Sequence, residues 1–264
     1  MDLVTSFLAL ALVGFVIGLL SGILGVGGGT IMVPVFRLFI GLSAIESTAT
    51  SLFTIVPTSL SGALTRIREK TCVLSLGLTL GLGGALTSPV GVWLASISPG
   101  WLIMVAAALV IAYSAVSMFM KAIRMKGMSA VEDDQQVRLS RRQLALGLMI
   151  GAFAGLGSGY IGVGGGFLMV PLMVNILGVS MKEASGTSLV AMVILAIPGV
   201  VEHVMLGNID YLVGVAVALG SIPGAIAGAH LVKKIPERVL RFTFSFFLLI
   251  AAGLLAFNEF HPLG

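Results

Sequence analysis

Long apolar runs separated by short polar turns make up almost the whole chain. Because a membrane-spanning helix needs about 20 mainly apolar residues, these runs predict an all-α polytopic membrane protein. The longer predicted helices cover residues 3–24, 47–65, 72–96, 101–120, 143–161, 184–204, 211–232 and 238–258.

Two shorter apolar runs, about residues 30–42 and 167–178, each follow a run of glycines. Each has about 12 residues, which at about 1.5 Å per residue reaches roughly 18 Å into a core about 30 Å thick. We therefore expect broken or half-helices that are re-entrant or packed in protein. Irregular backbone is tolerated at membrane depth only where protein or a water-filled cavity satisfies it.

The order of segments occurs twice. Residues 21–34 read SGILGVGGGTIMVP and residues 158–171 read SGYIGVGGGFLMVP, an offset of 137 residues. The offset also aligns two later stretches, Thr50-Ser51-Leu52 and Thr187-Ser188-Leu189. The chain is therefore a duplication, and we divide it into a first repeat, a polar linker and a second repeat. These three parts cover residues 1–121, 122–142 and 143–264.

Charge distribution predicts how the repeats are oriented. Basic residues mark cytoplasmic loops. The loop at residues 66–70 is basic, whereas its equivalent at 202–210 has no Lys or Arg. The next pair reverses, since 96–100 lacks basic residues and 233–238 has three. Equivalent loops are thus predicted on opposite sides of the membrane, which makes the halves inverted-topology repeats of about five segments each. With the linker in the cytoplasm, both termini are predicted outside.

Composition supports a lipid environment. The chain is 58% hydrophobic and 10% charged, with a mean hydropathy of +1.12, whereas soluble domains carry about 25% charged residues. The net charge of +4 comes from short loops, so we interpret it as a topological signal and expect no nucleic-acid partner. Cys72 is the only cysteine, which excludes an intramolecular disulfide and a cysteine-built metal site. No Lys or Arg precedes the first apolar run, which argues against a cleaved signal peptide.

The glycine runs are the first candidate site. A helix that begins after GVGGG presents free N–H groups and a positive dipole end, which favour an anion, and glycine lets a ligand approach the backbone. The alternative is a packing or hinge device. The candidate residues are Gly25, Gly27, Gly28, Gly29, Thr30, Gly162, Gly164, Gly165, Gly166 and Phe167.

Polar side chains downstream of the glycines form a second group. The hydroxyls of Thr50, Ser51, Thr187 and Ser188 either bind an oxyanion or form hydrogen bonds between helices. Glu46 and Glu183 lie about one turn earlier. They either cap a helix start or, if buried with a raised pKa, exchange a coupling proton.

Three unpaired ionisable residues remain. Arg37 lies in the first short run, where its equivalent is Val174, and it either faces a cavity and an anion or reaches an interface. Arg66 and His203 occupy equivalent positions, and we expect both at solvated helix ends. His203 is a further coupling candidate because histidine titrates near neutral pH.

The paired GxGGG-x₄-P elements and the A/G-T-S-L that follows each resemble the sulfite exporter TauE/SafE family. The resemblance covers nearly the whole chain. It implies a small transporter that exports sulfite, sulfonates or other sulfur-containing and organic anions. It also implies functional elements at residues 25–30 and 162–167 and at the two Thr-Ser pairs.

The leading hypothesis is therefore an anion transporter that works by alternating access and is coupled to protons or to the membrane potential. An anion channel is the main alternative, and non-saturating voltage-driven current would favour it. A membrane-embedded enzyme is less favoured, because the sequence has no nucleophile triad, metal cluster or P-loop. We expect no cofactor and no metal. The expected partners are a small anion, the lipid bilayer and protons, and no oligomeric state is predicted.

Overall fold

The computed structural model describes residues 3–124 and 140–260, and every regular element in these ranges is helical. The helices of the first repeat are α1 (Leu3–Leu24), α2 (Gly29–Val35), α3 (Ala44–Arg68), α4 (Leu74–Ile97) and α5 (Gly100–Arg124). Those of the second are α6 (Arg141–Ile161), α7 (Gly166–Leu172), α8 (Met181–Met205), α9 (Tyr211–Leu231) and α10 (Glu237–Phe260). Of the predicted linker, residues 125–139 lie outside the described ranges.

The predicted all-α polytopic fold is confirmed. In the described ranges, six helices are long and apolar enough to cross a membrane, namely α1, α4, α5, α6, α8 and α9. Several of the observed helix ends differ from the predicted ones by a few residues. For example, α3 begins at Ala44 because Ser43 caps it through the Glu46 N–H, which satisfies a helix-end donor that the apolar pattern does not register.

The short elements after the glycines are helices that change geometry along their length. Helix α2 continues into a π-helical turn at Phe36–Ile40, and α7 continues into one at Met173–Leu177. Each contains a proline, Pro34 or Pro171, shortly before the change. Because proline has no N–H to donate, the regular hydrogen-bond ladder is interrupted there. Each element ends at a glycine with positive φ, so neither continues into the next helix.

The major helix contacts run between the two halves. Helix α1 packs along α9 and α6 along α4, while α3 packs on α8 and α5 on α10. Small residues allow the first of these contacts, since a Cβ built on Gly220 would lie 1.8 Å from the Ala11 carbonyl oxygen. In the second, a Cβ on Gly151 would lie 2.0 Å from the Leu80 carbonyl oxygen. Close backbone approach through small residues stabilises helix pairs in membranes, because lipid provides no hydrophobic driving force for helices to associate.

These contacts are reciprocal. The α1–α9 contact has its counterpart in α6–α4, and α3–α9 has its counterpart in α8–α4. Reciprocal contacts of this kind arise when a two-fold axis relates two copies. The halves are therefore interlocked around a common centre. The direction of that axis relative to the membrane stays a prediction from the loop charges.

Candidate functional site

Two glycine turns lie at the centre, between α3 and α8. We name residues 25–29 the first glycine turn and residues 162–166 the second glycine turn. All residues of both turns are buried. Three glycines in each turn have φ between +71° and +84°, a conformation that strains any residue with a Cβ. The sequence GVGGG is thus required by backbone geometry in both copies.

The two turns touch each other. A Cβ on Gly29 would lie 2.6 Å from the carbonyl oxygen of Val163, and one on Gly166 would lie 2.5 Å from that of Gly25. The side chains of Ile55 and Met192, equivalent residues of α3 and α8, contact both turns. The repeat elements that the sequence placed 137 residues apart therefore form one structure.

Serine side chains hold each turn from the opposite half. Ser51 Oγ on α3 donates to the Gly162 carbonyl at 2.9 Å, and Ser188 Oγ on α8 donates to the Gly25 carbonyl at 2.6 Å. Because all four residues are fully buried, these carbonyls have no access to water as an alternative donor. The two serines fix the positions of the turns.

The neighbouring threonines link helices. Thr50 Oγ1 accepts from the Asp210 N–H at 3.0 Å, and Thr187 Oγ1 accepts from the Val73 N–H at 2.9 Å. Asp210 and Val73 are the residues that precede α9 and α4. The structure thus gives the predicted hydroxyl pairs the contacts expected for bonding between helices, and their binding role stays a prediction.

Backbone donors remain free where the half-helices begin. The Gly28 carbonyl accepts from Ile31 and Met32, and the described structure shows no acceptor for the N–H groups of Gly29 and Thr30. The second turn repeats this, because the Gly165 carbonyl accepts from Leu168 and Met169 while Gly166 and Phe167 donate to no described acceptor. The two sets of free donors lie where the turns meet.

The two half-sites are chemically unequal. Thr30 and Phe167 are equivalent residues, and both are fully buried. Thr30 Oγ1 has no hydrogen-bond partner in the described structure, whereas Phe167 offers only an aromatic ring. The first turn therefore carries one more unpaired polar group than the second.

Arg37 does not lie beside the glycine turns. It belongs to the π-helical turn, and its Nη1 donates to the Leu42 carbonyl at 3.2 Å. It is eight positions beyond Gly29, or about 12 Å along a helix. It is half-buried and points to the C-terminal end of the short element. Arg37 therefore lies away from the turns in this structure, and its role in substrate binding stays a prediction.

Glu46 and Glu183 lie in capping boxes. The Glu46 N–H donates to Ser43 Oγ while its carboxylate accepts from the Ser43 N–H, and Glu183 pairs with Ser180 in the same way. Glu46 is exposed and Glu183 is half-buried, so neither has the full burial on which a raised pKa depended. Helix capping is the observed role of both residues, and proton coupling is the alternative role that glutamine variants test.

We expect Glu46→Gln and Glu183→Gln to keep any pH-gradient dependence of transport. Glutamine serves equally at this position of a capping box, so these variants remove the titrating proton while keeping the helix start. Glu46→Ala and Glu183→Ala, which break the box, should lower stability by about 0.3–1.5 kcal/mol each. Flux into proteoliposomes with and without a pH gradient is the measurement. Loss of gradient dependence in the glutamine variants would assign coupling to these residues.

Arg66 and His203 are not at solvated helix ends, so that expectation is wrong. Arg66 is 0% exposed and His203 is 1% exposed. His203 Nδ1 lies 3.5 Å from Asn208 Nδ2, and its Nε2 has no partner in the described structure. Arg66 was not among the predicted binding residues. Helical periodicity was the available signal, because Arg66 lies on the same face of α3 as Ser51 and Ile55.

Comparison with known proteins identifies the chain. The family model of the sulfite exporter TauE/SafE matches residues 10–255. "Probable membrane transporter protein YdhB" of Bacillus subtilis is 29% identical over 231 residues, which cover 87% of this chain and 92% of the relative. A "Probable membrane transporter protein" of Haemophilus influenzae is 27% identical over 271 residues, covering 94% of this chain and 97% of the relative.

A further similarity covers only part of the chain. "Sulfite exporter TauE/SafE family protein 3" of Arabidopsis thaliana is 34% identical over 112 residues, which cover 40% of this chain and 22% of that protein. No solved structure matches the chain significantly. The family model spans both glycine turns, α3 and α8. The chain is therefore a multi-pass membrane transporter that belongs to the sulfite exporter TauE/SafE family.

Proposed function

We propose that this protein transports a small sulfur-containing or organic anion, such as sulfite or a sulfonate, by alternating access. The observation that carries the proposal is the pair of facing glycine turns with unpaired backbone N–H groups at Gly29, Thr30, Gly166 and Phe167. Donors at helix starts bind oxyanions through both hydrogen bonds and the helix dipole. The family to which the chain belongs is described as sulfite exporters, which supports the same class of substrate.

Burial of the centre favours a transporter over a channel. Every residue of both glycine turns and the two half-helix starts is buried, so protein covers the centre in this structure. A substrate at the centre would be released only after the interlocked halves move relative to each other. Such movement around a fixed central site is the mechanism of transporters built from inverted repeats with broken helices.

His203 is our preferred candidate for proton coupling. It is almost fully buried and lies near the end of α8 with an unpaired Nε2. Glu46 and Glu183, by contrast, already serve as helix caps. A His203→Gln variant that transports the anion without dependence on a pH gradient would support this assignment.

The transport proposal is tested with purified protein in proteoliposomes. We expect saturable flux of at least one anion from a panel of sulfite, thiosulfate, methanesulfonate and acetate, and no flux of small cations. Voltage-driven current without saturation would replace the transporter by a channel. Selective binding of cations with no response to any anion would contradict the proposal.

The proposed orientation predicts from which side of the membrane introduced cysteines can be labelled. In a Cys72→Ala background, we expect cysteines at Ile97 and Leu206 to react with a membrane-impermeant maleimide added to intact cells. A cysteine at Lys234, the repeat equivalent of Ile97, should react only after the membrane is opened. All three positions are exposed in the structure. Reaction of position 206 only from the cytoplasm would contradict the inverted orientation, and equal reactivity at 97 and 234 would do the same.

A further inference from the structure

Arg66 is the largest fully buried side chain in the described structure, and its charge has no counter-ion. Its Nη2 donates to the carbonyls of Gly22 at 3.1 Å and Ile23 at 3.3 Å and to Ser185 Oγ at 2.8 Å. These acceptors belong to the end of α1 and the start of α8. The guanidinium therefore lies directly behind the first glycine turn, which begins at Gly25.

The remaining donors of Arg66 are unsatisfied. A guanidinium has five N–H donors, yet Nε and Nη1 have no partner in the described structure. An acid follows the end of α3 at Glu69, and its carboxylate pairs with His230 and with Lys233 Nζ, the latter at 3.5 Å. No ion pair of Arg66 occurs among the described residues. A buried charge without an ion pair is destabilising, so an anion at Nε and Nη1 would stabilise this arrangement.

A face of α3 connects Arg66 to the glycine turns. Ser59 lies seven residues before Arg66, which places it on the same helix face about 10.5 Å away. Ser59 Oγ is fully buried and also lacks a partner. Ile55, one turn earlier, contacts both turns. Ser59 thus places an unpaired hydroxyl on α3 between the glycine turns and Arg66.

A cavity lies at the end of α3, on the helix face that is turned toward α9. It has a volume of about 230 Å³ and is lined by Thr65, Arg68 and Glu69 together with Ile226 and His230 of α9. Arg68, His230 and the neighbouring Lys233 make its surroundings basic, and a basic cleft raises the local concentration of anions. The cavity therefore gathers anions at the end of α3 that carries Arg66.

We propose that Arg66 is a substrate-binding residue, which receives the oxyanion through Nε and Nη1 beside the first glycine turn. The inference rests on the proposed function. Arginine suits this task because its planar donors match the geometry of sulfite, sulfonate and carboxylate oxygens. The equivalent position in the second repeat holds His203, so the permanent cation is present at one end of the transporter only.

Three variants test the proposal. Arg66→His places at position 66 the residue that the fold already accommodates at position 203, and at pH 8 an ordinary imidazole is neutral. Arg66→Lys keeps the charge and loses the planar donors. Ser185→Ala removes one structural acceptor of Nη2 and leaves the charge intact. Arg142→Gln, at an exposed position of α6, is the control that changes net charge equally.

The measurements are sulfite flux into proteoliposomes and the shift in melting temperature that sulfite produces in the purified protein, both at pH 8. For Arg66→His we expect at least about a tenfold rise in KM and loss of the sulfite-induced shift, since removing one partner of a buried charge pair weakens binding strongly. Arg66→Lys should show a smaller rise. Ser185→Ala, which loosens one anchor of the guanidinium, should also show a smaller rise than Arg66→His, and only Arg142→Gln should stay within about twofold of the parent. The same losses are expected for any other anion of the panel that the parent binds.

The outcomes separate this inference from the proposed function. If the parent transports sulfite and Arg66→His keeps its KM while melting lower, Arg66 only joins α1 to α8 and the inference is overturned. Should Arg66→His fail to accumulate, an unchanged KM in Arg66→Lys overturns it as well. A parent that binds no anion of the panel overturns the proposed function and this inference together.

Discussion

Replacing Gly29 or Gly166 by valine should abolish transport. A Cβ at these positions would lie 2.6 Å and 2.5 Å from carbonyl oxygens of the opposite glycine turn, and real structures do not hold such contacts. Backbone atoms on both sides cannot rotate away as a flexible side chain would, so the two turns must separate. The free N–H groups at the half-helix starts would then no longer face one another. Overpacking of this kind costs about 1–3 kcal/mol or more.

A matched control isolates the position from the residue type. Gly253 of α10 has open space around it, with no atom within 4 Å of a built Cβ, so Gly253→Val should transport normally. Uptake by proteoliposomes and the amount of protein in the membrane are measured together. Wild-type uptake by both Gly29→Val and Gly166→Val would show that the turns need not touch, which would remove the basis of the proposed site.

The double variant Ser51→Ala, Ser188→Ala should lose a large part of the stability that joins the halves. Each substitution leaves a buried turn carbonyl without the serine donor observed at 2.9 Å or 2.6 Å. An orphaned buried acceptor costs about 1–3 kcal/mol, so the pair should lose roughly 2–6 kcal/mol. Because native proteins are stable by only about 5–15 kcal/mol, the loss is large. We expect each single variant to show about half of it.

Thermal unfolding in detergent measures this loss. A change of 1 kcal/mol shifts the melting temperature by about 2–4 °C in chains of comparable size, so a fall of several degrees is expected for the double variant. Ser75→Ala, an exposed serine on α4, should melt with the parent. A double variant that melts at the parent temperature would show that the turns are held by packing alone, without the serine hydrogen bonds.

The sequence by itself determined the helices and the pairing of equivalent elements. Apolar runs located the long helices because lipid requires about 20 apolar residues in a row. The 137-residue offset identified both glycine turns and the family, since each copy keeps the residues that its backbone geometry demands. Local chemistry also offered helix capping as one of two roles for Glu46 and Glu183, because a capping box is formed within one helical turn.

Only the tertiary structure shows which half of the chain holds each glycine turn. Ser51 bonds to Gly162 and Ser188 to Gly25, so each glycine turn is held by the opposite half. Periodicity assigns a residue to a helix face, but it does not identify the helix that covers that face when the partner lies more than 100 positions away.

The burial of charged side chains near helix ends could not be predicted from the sequence either. Arg66 stands two residues before Arg68 and four before Lys70, a setting typical of a solvated loop, yet its side chain is fully buried between α1 and α8. Arg37 stands among apolar residues, yet it reaches a carbonyl past the end of its element. Exposure depends on how neighbouring helices cross, and crossing geometry is set by small residues on distant segments such as Gly22 and Gly228.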